Sequence, residues 1–476
     1  MKATFSKILF LALALAGAAR AADLATLWAE RTKCTVAVEY VIVNENDRRP
    51  TLAYGTVIDG QGTIILPTSA IDQRLSLQQL QDFKVYVPGD ATPYAATYLG
   101  EDLFTGWHFV RVEEKARSRL VPVTTFAAPD GKNPTPALAE ELWGIGLRTK
   151  EEDFLPYILD SRLVLTQLLP QRTGVAQQEV AGPGLPVFNR DGVLVGLALS
   201  SGGQTYMQFS QASRGGSAII LVDVEESSLF QMADEVLPYF GRIPKNINGR
   251  PLAWAGFFGL EPMDRDVANF LHLSPQSSGA VVSEILENSP AEKAGMKARD
   301  IIVAIDGQPL PHFRPDHVVV DYVDHEMARR VPGDTVRFTV LRGADRLDLK
   351  VVLGDEPKLA READRTFFEH LGFTAREFVY GDAVSRREKV ADAAGVVVHY
   401  VRPNGPAALA GLETDDWIQE VDGVALKTYA DSLAKLSAIE NDPQRREFVL
   451  LVNRGGETAI LRVKLNQSAP AAPVLR

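Results

Sequence analysis

The chain has 476 residues, 46% of them apolar, with 61 acidic against 50 basic side chains, a formal net charge of −11 and one cysteine. That length holds about three domains, each large enough for its own core. The acidic balance opposes nonspecific binding to nucleic acid or anionic lipid, and a lone Cys34 excludes an intrachain disulfide and any cysteine-based metal cluster.

The first residues carry Lys2 and Lys7, an apolar run from Ile8 to Ala19, and the small-x-small sequence Ala19-Arg20-Ala21. This is the form of a signal peptide over 1–21. Its apolar run falls short of the roughly 20 residues that span a bilayer, and no later stretch is longer, so export without stable membrane insertion is expected. An exported chain without disulfides fits a periplasmic or extracellular setting. Cys34 lies too far past the run for a lipid-attachment signal and reads as a small buried apolar residue.

From Thr35 to about Val222 come short β-type segments separated by turn signals, among them 35–43, 53–58, 63–66, 84–87, 94–99, 107–112, 163–168, 193–199 and 217–222. Many short strands at this spacing predict an all-β barrel or sandwich over 22–224. Leu229, Met232, Ala233, Val236 and Leu237 predict a helix over 225–239, and the Gly, Pro and Asn of 241–251 a linker, so 225–251 is read as helix and linker. The Ala- and Pro-rich residues 467–476 read as a disordered tail.

Between linker and tail the chain repeats itself at an offset of 116 residues, Gly295 matching Gly411. Gly256-Phe257 pairs with Gly372-Phe373, Pro290-Ala291 with Pro406-Ala407, Asp300 with Asp416 and Asp306-Gly307 with Asp422-Gly423. Near the ends the register shortens by four, Arg342-Gly343 matching Arg454-Gly455. Ser289-Pro290-Ala291-Glu292 is a capping box with Pro at the first helical position, and Gly295 ends a helix of little more than a turn. Both Asp-Gly pairs predict tight hairpins.

The pattern S-P-A-x-x-A-G-x-x-x-x-D-x-I-x-x-I-D-G resembles the PDZ domains of bacterial HtrA-type (Deg) proteins, and it occurs over 252–354 and again over 367–466, with 355–366 between. In that family a loop of the form x-Leu-Gly-Φ presents backbone N–H groups to a peptide's terminal carboxylate, and the strand after it takes up the peptide by β-augmentation. His370-Leu371-Gly372-Phe373 matches that loop, and Trp254-Ala255-Gly256-Phe257 matches with Ala in place of Leu. The resemblance thus implies peptide-binding residues Leu371, Gly372 and Phe373, with Ala255, Gly256 and Phe257 as the altered counterpart; the second copy is expected to be the better binder.

The same resemblance implies that 22–224 is a trypsin-like protease domain. Gly55 to Ile65 resembles the strand-turn-strand before the catalytic histidine, Leu185 to Gly196 the segment after the catalytic serine, and Ser217 to Ile220 the barrel's exit. The fold expected is mainly β, a trypsin-like double β-barrel followed by two PDZ (α+β, partly open β-barrel) domains. The triad positions do not carry over: the histidine falls on Ser69, the aspartate on Gly106 and the nucleophile on Pro183. A serine without a neighbouring base stays protonated and weak, and Pro183 also removes an N–H from the oxyanion hole. No serine occurs between Arg162 and Leu199, and His108 is the only histidine before the linker, in a β-segment where a structural role is expected.

No His-Glu-x-x-His pairing or glycine-rich phosphate loop occurs, and His312, His317, His325 and His370 lack zinc-site spacing, so no metal or cofactor is expected. The expectation is an exported, degenerate pseudoprotease that binds peptide C-termini or extended segments of envelope proteins, as scaffold, regulator or holdase. The alternative is a divergent active serine endopeptidase. Family resemblance adds assembly as a trimer.

Overall fold

A computed structural model describes residues 24–72, 74–133, 135–168, 172–199, 206–209, 218–222, 229–249, 252–271, 273–274, 276–314, 316–389 and 394–465. The signal peptide expected over 1–21 and the tail over 467–476 lie outside the described residues. The chain divides into two units, one running to Arg250 and one from Pro251 onward, with 73–77 grouped with the second.

The first unit opens with helix α1 (Leu24–Arg31) and continues as strands β1 (Thr35–Val43), β2 (Arg48–Val57), β3 (Thr63–Leu66), β4 (Leu80–Tyr86), β5 (Tyr94–Asp102) and β6 (Trp107–Val112). These close into an antiparallel barrel in the order β1-β2-β3-β6-β5-β4. Closure leaves no free sheet edge. The second barrel takes β7 (Glu141–Leu147), β8 (Pro156–Leu168), β9 (Arg172–Ala176), β10 (Pro186–Asn189) and β11 (Leu194–Ala198). A separate ribbon of β12 (Tyr206–Phe209) and β13 (Ala218–Val222) follows, so the segment expected as the barrel's exit belongs to that ribbon.

The helix expected over 225–239 is corrected. Leu229–Met232 is a strand, β14, which pairs with β11 on one side and β9 on the other and so completes the second barrel; only Ala233–Val236 (α2) is α-helical, with a 3-10 turn over Leu237–Tyr239. The protease-like unit therefore runs past residue 224. Phe230 and Met232 are buried while Leu229 and Gln231 are partly exposed, a period of two that the flanking apolar residues masked. Phe230 fits because Gly174 and Gly196 face it: a Cβ at either would lie 2.2 Å or 2.5 Å from its ring.

Cys34 is wholly buried in the core that also holds Trp143, Phe188 and Phe230, and burial pushes its thiol far above its ordinary value. A buried, protonated thiol is inert. We therefore expect no reaction of the native protein with a chromogenic disulfide reagent, and one thiol per chain after denaturation; rapid native labelling would contradict the packing.

The second unit begins with β15 (Ala253–Trp254), β16 (Phe257–Pro262), helix α3 (Arg265–Phe270), β17 (Ala280–Ile285), helix α4 (Pro290–Lys293), β18 (Ile301–Ile305) and β19 (Gln308–Pro309). Helix α5 (Val318–Ala328), β20 (Thr335–Arg342), β21 (Asp345–Val352) and β22 (Gly354–Asp355) complete the first copy of the repeat. The second copy has β23 (Arg365–Phe368), β24 (Phe373–Glu377), helix α6 (Tyr380–Arg386), β25 (Val396–Val401), helix α7 (Pro406–Leu409), β26 (Trp417–Val421), β27 (Val424–Ala425), helix α8 (Tyr429–Glu440), β28 (Glu447–Arg454) and β29 (Glu457–Lys464). The sheets run β16-β17-β18-β20-β21 and β23-β24-β25-β26-β28-β29, with β19 and β27 paired to β18 and β26.

The local signals act as their chemistry requires. Ser289 Oγ accepts from Glu292 N at 3.2 Å and Gly295 turns at φ +81°. Asp306-Gly307 and Asp422-Gly423 both have positive φ at each residue, the backbone of a two-residue hairpin turn matched to strand twist. Two repeated residues far apart in the chain are partners. Arg342 grips the buried Asp300 carboxylate through Nε at 2.8 Å and a terminal nitrogen at 2.7 Å, and Arg454 grips Asp416 at 2.6 Å through both. The same guanidinium caps the short helix, donating to Gly295 O in one copy and Gly411 O in the other. Tyr380 at the start of α6 packs edge-on against Trp254, with ring centroids 5.5 Å apart, and donates to Glu287 O, so the two copies touch beside the first loop.

Candidate functional site

The two loops singled out by the repeat share one backbone. Gly256 has φ +83° and Gly372 φ +81°, a region that favours glycine. Gly256 O accepts from Leu286 N and Ala255 O from Ala291 N; Gly372 O accepts from Arg402 N and Leu371 O from Ala407 N. With its carbonyls turned back into the domain, each loop can aim its N–H groups outward, which makes a nest for an anion.

What occupies those N–H groups differs. In the first copy Ala255 N and Gly256 N have no hydrogen-bond partner among the described residues. Among the described residues β16 is the terminal strand of its sheet, paired with β17 alone, and α5 packs beside it. A free strand edge ending in an unpaired nest is the geometry that takes an extended peptide with its carboxylate at the loop.

In the second copy every part of that geometry is filled. β24 has β25 on one side and β23 on the other, and β23 lies against α8. Gly372 N donates to Phe368 O at 2.8 Å, His370 N to Glu440 Oε1 at 2.8 Å and Leu371 N to Glu440 Oε2 at 3.1 Å. Glu440 ends α8, where a negative charge opposes the helix dipole; two N–H donors offset that. An acid at a helix C-terminus was the one sequence signal for this contact. Phe368 is buried against Phe373, their rings 5.8 Å apart, and Leu371 is buried with them, so Leu371 and Phe373 serve the core and Gly372 the turn.

Chain neighbours of the three positions aligned with a triad, though not those positions themselves, line a cavity of about 130 Å³, among them Thr68, Thr105, Trp107 and Gly184 together with Pro67 and Gln231. No histidine, acid, serine or cysteine lines it among the described residues. Ser69 is exposed on a 3-10 turn over Thr68–Ala70. Gly106 has φ +70° and abuts Thr68, whose Oγ1 would lie 2.4 Å from a Cβ there. Pro183 has no N–H, and the N–H groups of Gly182 and Gly184 donate to Ile145 O and Ala198 O. Asp102, hydrogen-bonded to the lining residue Thr105, is buried and also accepts from Arg242 Nε at 2.8 Å. His108 is buried on β6 with Nδ1 3.0 Å from Tyr98 Oη.

Comparison with known proteins agrees with this architecture. The PDZ domain model matches residues 270–353 and again 374–465. Among curated proteins, the chain is 27% identical over 290 residues to a Hahella chejuensis protein named "Probable periplasmic serine endoprotease DegP-like", covering 60% of this chain and 55% of that one. A Pseudomonas fulva protein of the same name is 26% identical over 291 residues, covering 59% and 53%. The chain spans about half the length of these curated relatives. Among solved structures, one titled "HtrA-type protease AlgWS227A with decapeptide" superposes with a TM-score of 0.50 at 15% identity, covering 71% of this chain and 99% of that one. That likeness is one of fold: a trypsin-like double barrel followed by a PDZ domain.

Proposed function

We propose that this chain, a relative of the HtrA/DegP-type serine proteases with PDZ domains, acts in the periplasm as a binding protein, capturing peptide C-termini or extended segments through its first PDZ domain without cleaving them. The observation that carries the reading is the nest at Ala255 and Gly256, unpaired among the described residues, beside the edge of β16 that they leave free. Main-chain pairing along β16 supplies affinity for any extended segment, and the nest selects a chain terminus. Scaffolding or holding envelope proteins is the work such a site supports.

The case against proteolysis rests on chemistry at three positions. A seryl nucleophile needs a base to accept its proton and N–H donors for the oxyanion. Gly106 and Pro183 supply neither, Ser69 stands where the base would be, and Asp102 is committed to Arg242. Among the described residues no helix is long and apolar enough to cross a membrane.

One experiment tests both halves. Purified protein should take up no fluorophosphonate probe and leave casein intact, while binding immobilised decapeptides that end in a free carboxylate about tenfold more tightly than their amides, the worth of one charge-assisted hydrogen bond. Gly256→Val, which would force a Cβ to 2.1 Å from Ser289 Cβ at a left-handed φ, should abolish that binding. Probe labelling or casein cleavage that persists after repurification would overturn the non-catalytic reading. Unchanged binding by Gly256→Val would overturn the site.

A further inference from the structure

We propose that Arg365-Thr366-Phe367-Phe368 is a built-in ligand of the second PDZ domain, with Glu440 supplying the carboxylate, so that this domain is closed to free peptides until the segment leaves. The segment runs antiparallel to β24, Phe368 opposite Phe373 and Arg365 opposite Arg376, which puts its C-terminal end at the loop as a bound peptide terminus would lie. Phe368 O accepts the Gly372 N–H, the donor a terminal carboxylate would take. The Glu440 carboxylate takes the next two N–H groups, at 2.8 Å and 3.1 Å.

The side chains complete the likeness. Phe368, the last residue, is buried with Leu371, Phe373 and Leu436 in the domain core, as the anchoring residue of a ligand would be. Two residues earlier, Thr366 Oγ1 lies 3.2 Å from the hydroxyl of Tyr429, the first residue of α8. Phe367, between them, lies on the other face of the strand, its ring 6.2 Å from Tyr400, where the Arg402 guanidinium also covers it. The groove thus reads a hydroxyl, any residue, then an aromatic, and a free peptide of that form is the competitor it fits.

Among the described residues no strand of the first domain covers β16 as β23 covers β24. At the same offset it has Gly249-Arg250-Pro251-Leu252, and proline cannot donate to a ladder. The second has a β-favouring Thr-Phe-Phe. Only Glu369, His370 and Leu371 tether that segment to Gly372, so it competes at an effective concentration on the order of millimolar, and with an affinity of its own near micromolar it weakens any free peptide by more than about 100-fold.

The test uses the full chain with Gly256→Val throughout, so that only the second domain reports and failure of the first domain's reading is scored separately. The probe is the hexapeptide Ala-Asp-Arg-Thr-Phe-Phe, fluorescein-labelled, with a free carboxylate. With Arg365–Phe368 intact, no binding is expected at micromolar peptide. Adding Thr366→Pro and Phe368→Ala, which end strand pairing and empty the pocket, should bring binding in by at least about 100-fold. Equal binding with and without release would overturn the proposal, as would a released variant that keeps its far-UV and Trp417 signals yet ignores the peptide. Should the released variant unfold, hydrogen exchange on the unaltered protein decides. Slow exchange at His370, Leu371 and Gly372 with no peptide present supports self-occupancy, and rapid exchange there overturns it.

Discussion

Asp382→Ala is expected to destabilise the second PDZ domain by about 3–5 kcal/mol, the cost of leaving a buried charge without its partner. Arg376 on β24 and Asp382 in α6 are each about nine-tenths buried and meet through two hydrogen bonds of 2.6 Å. Asp382 also accepts the Val379 N–H that opens the helix, and Arg376 donates to Glu377 O. Alanine removes the helix cap and strands the guanidinium together. Hydrogen exchange of fragments from β24, β25 and α6 should accelerate, while the first domain's sheet holds. The double variant Arg376→Met with Asp382→Leu should recover most of the loss, because a well-packed apolar pair commonly equals a buried ion pair. A single variant as stable as the parent would mean that water reaches the pair.

Phe230→Ala should destabilise the double-barrel unit by about 3–5 kcal/mol, at the upper end for a buried aromatic. The reason lies in its neighbours. Gly174 and Gly196 flank the ring and have no side chains that could swing into the space, so the cavity cannot collapse. Cys34 sits in the same core, which makes thiol labelling in low urea the natural readout. Labelling at a urea concentration where the parent stays silent is the expected result; coincident labelling profiles would show that the barrel repacks.

Much of this architecture was legible in the sequence because it is written in local chemistry. Ser289-Pro290, Gly295, Asp306-Gly307 and their counterparts each fix a few backbone angles, and their recurrence at one offset announced two copies of one domain. The pairing of Asp300 with Arg342 was half visible, both residues recurring, 42 positions apart in the first copy and 38 in the second, with nothing local to join them. β14 was misread since Leu229 to Leu237 satisfies a helical stripe, whereas pairing with β9 and β11 is a tertiary matter. The occupant of the second groove was hidden for the same reason. Arg365 and Thr366 looked like the end of a linker and Phe367-Phe368 like the start of the domain, and the carboxylate on the loop comes from Glu440, 70 residues from His370. Motif quality favoured Leu371-Gly372-Phe373 over Ala255-Gly256-Phe257; edge availability favours the reverse.

That asymmetry sets a valency. Two open PDZ edges on one chain would let a single molecule hold two extended segments, or bridge one client into another and so build a network. With β23 laid on β24, only one of the two candidate peptide-binding edges, that of β16, remains open among the described residues to template an incoming strand. A lone molecule is then a terminator of strand addition, and strong retention of a long unfolded client requires several copies held together, where the gain comes from effective concentration instead of from a better groove.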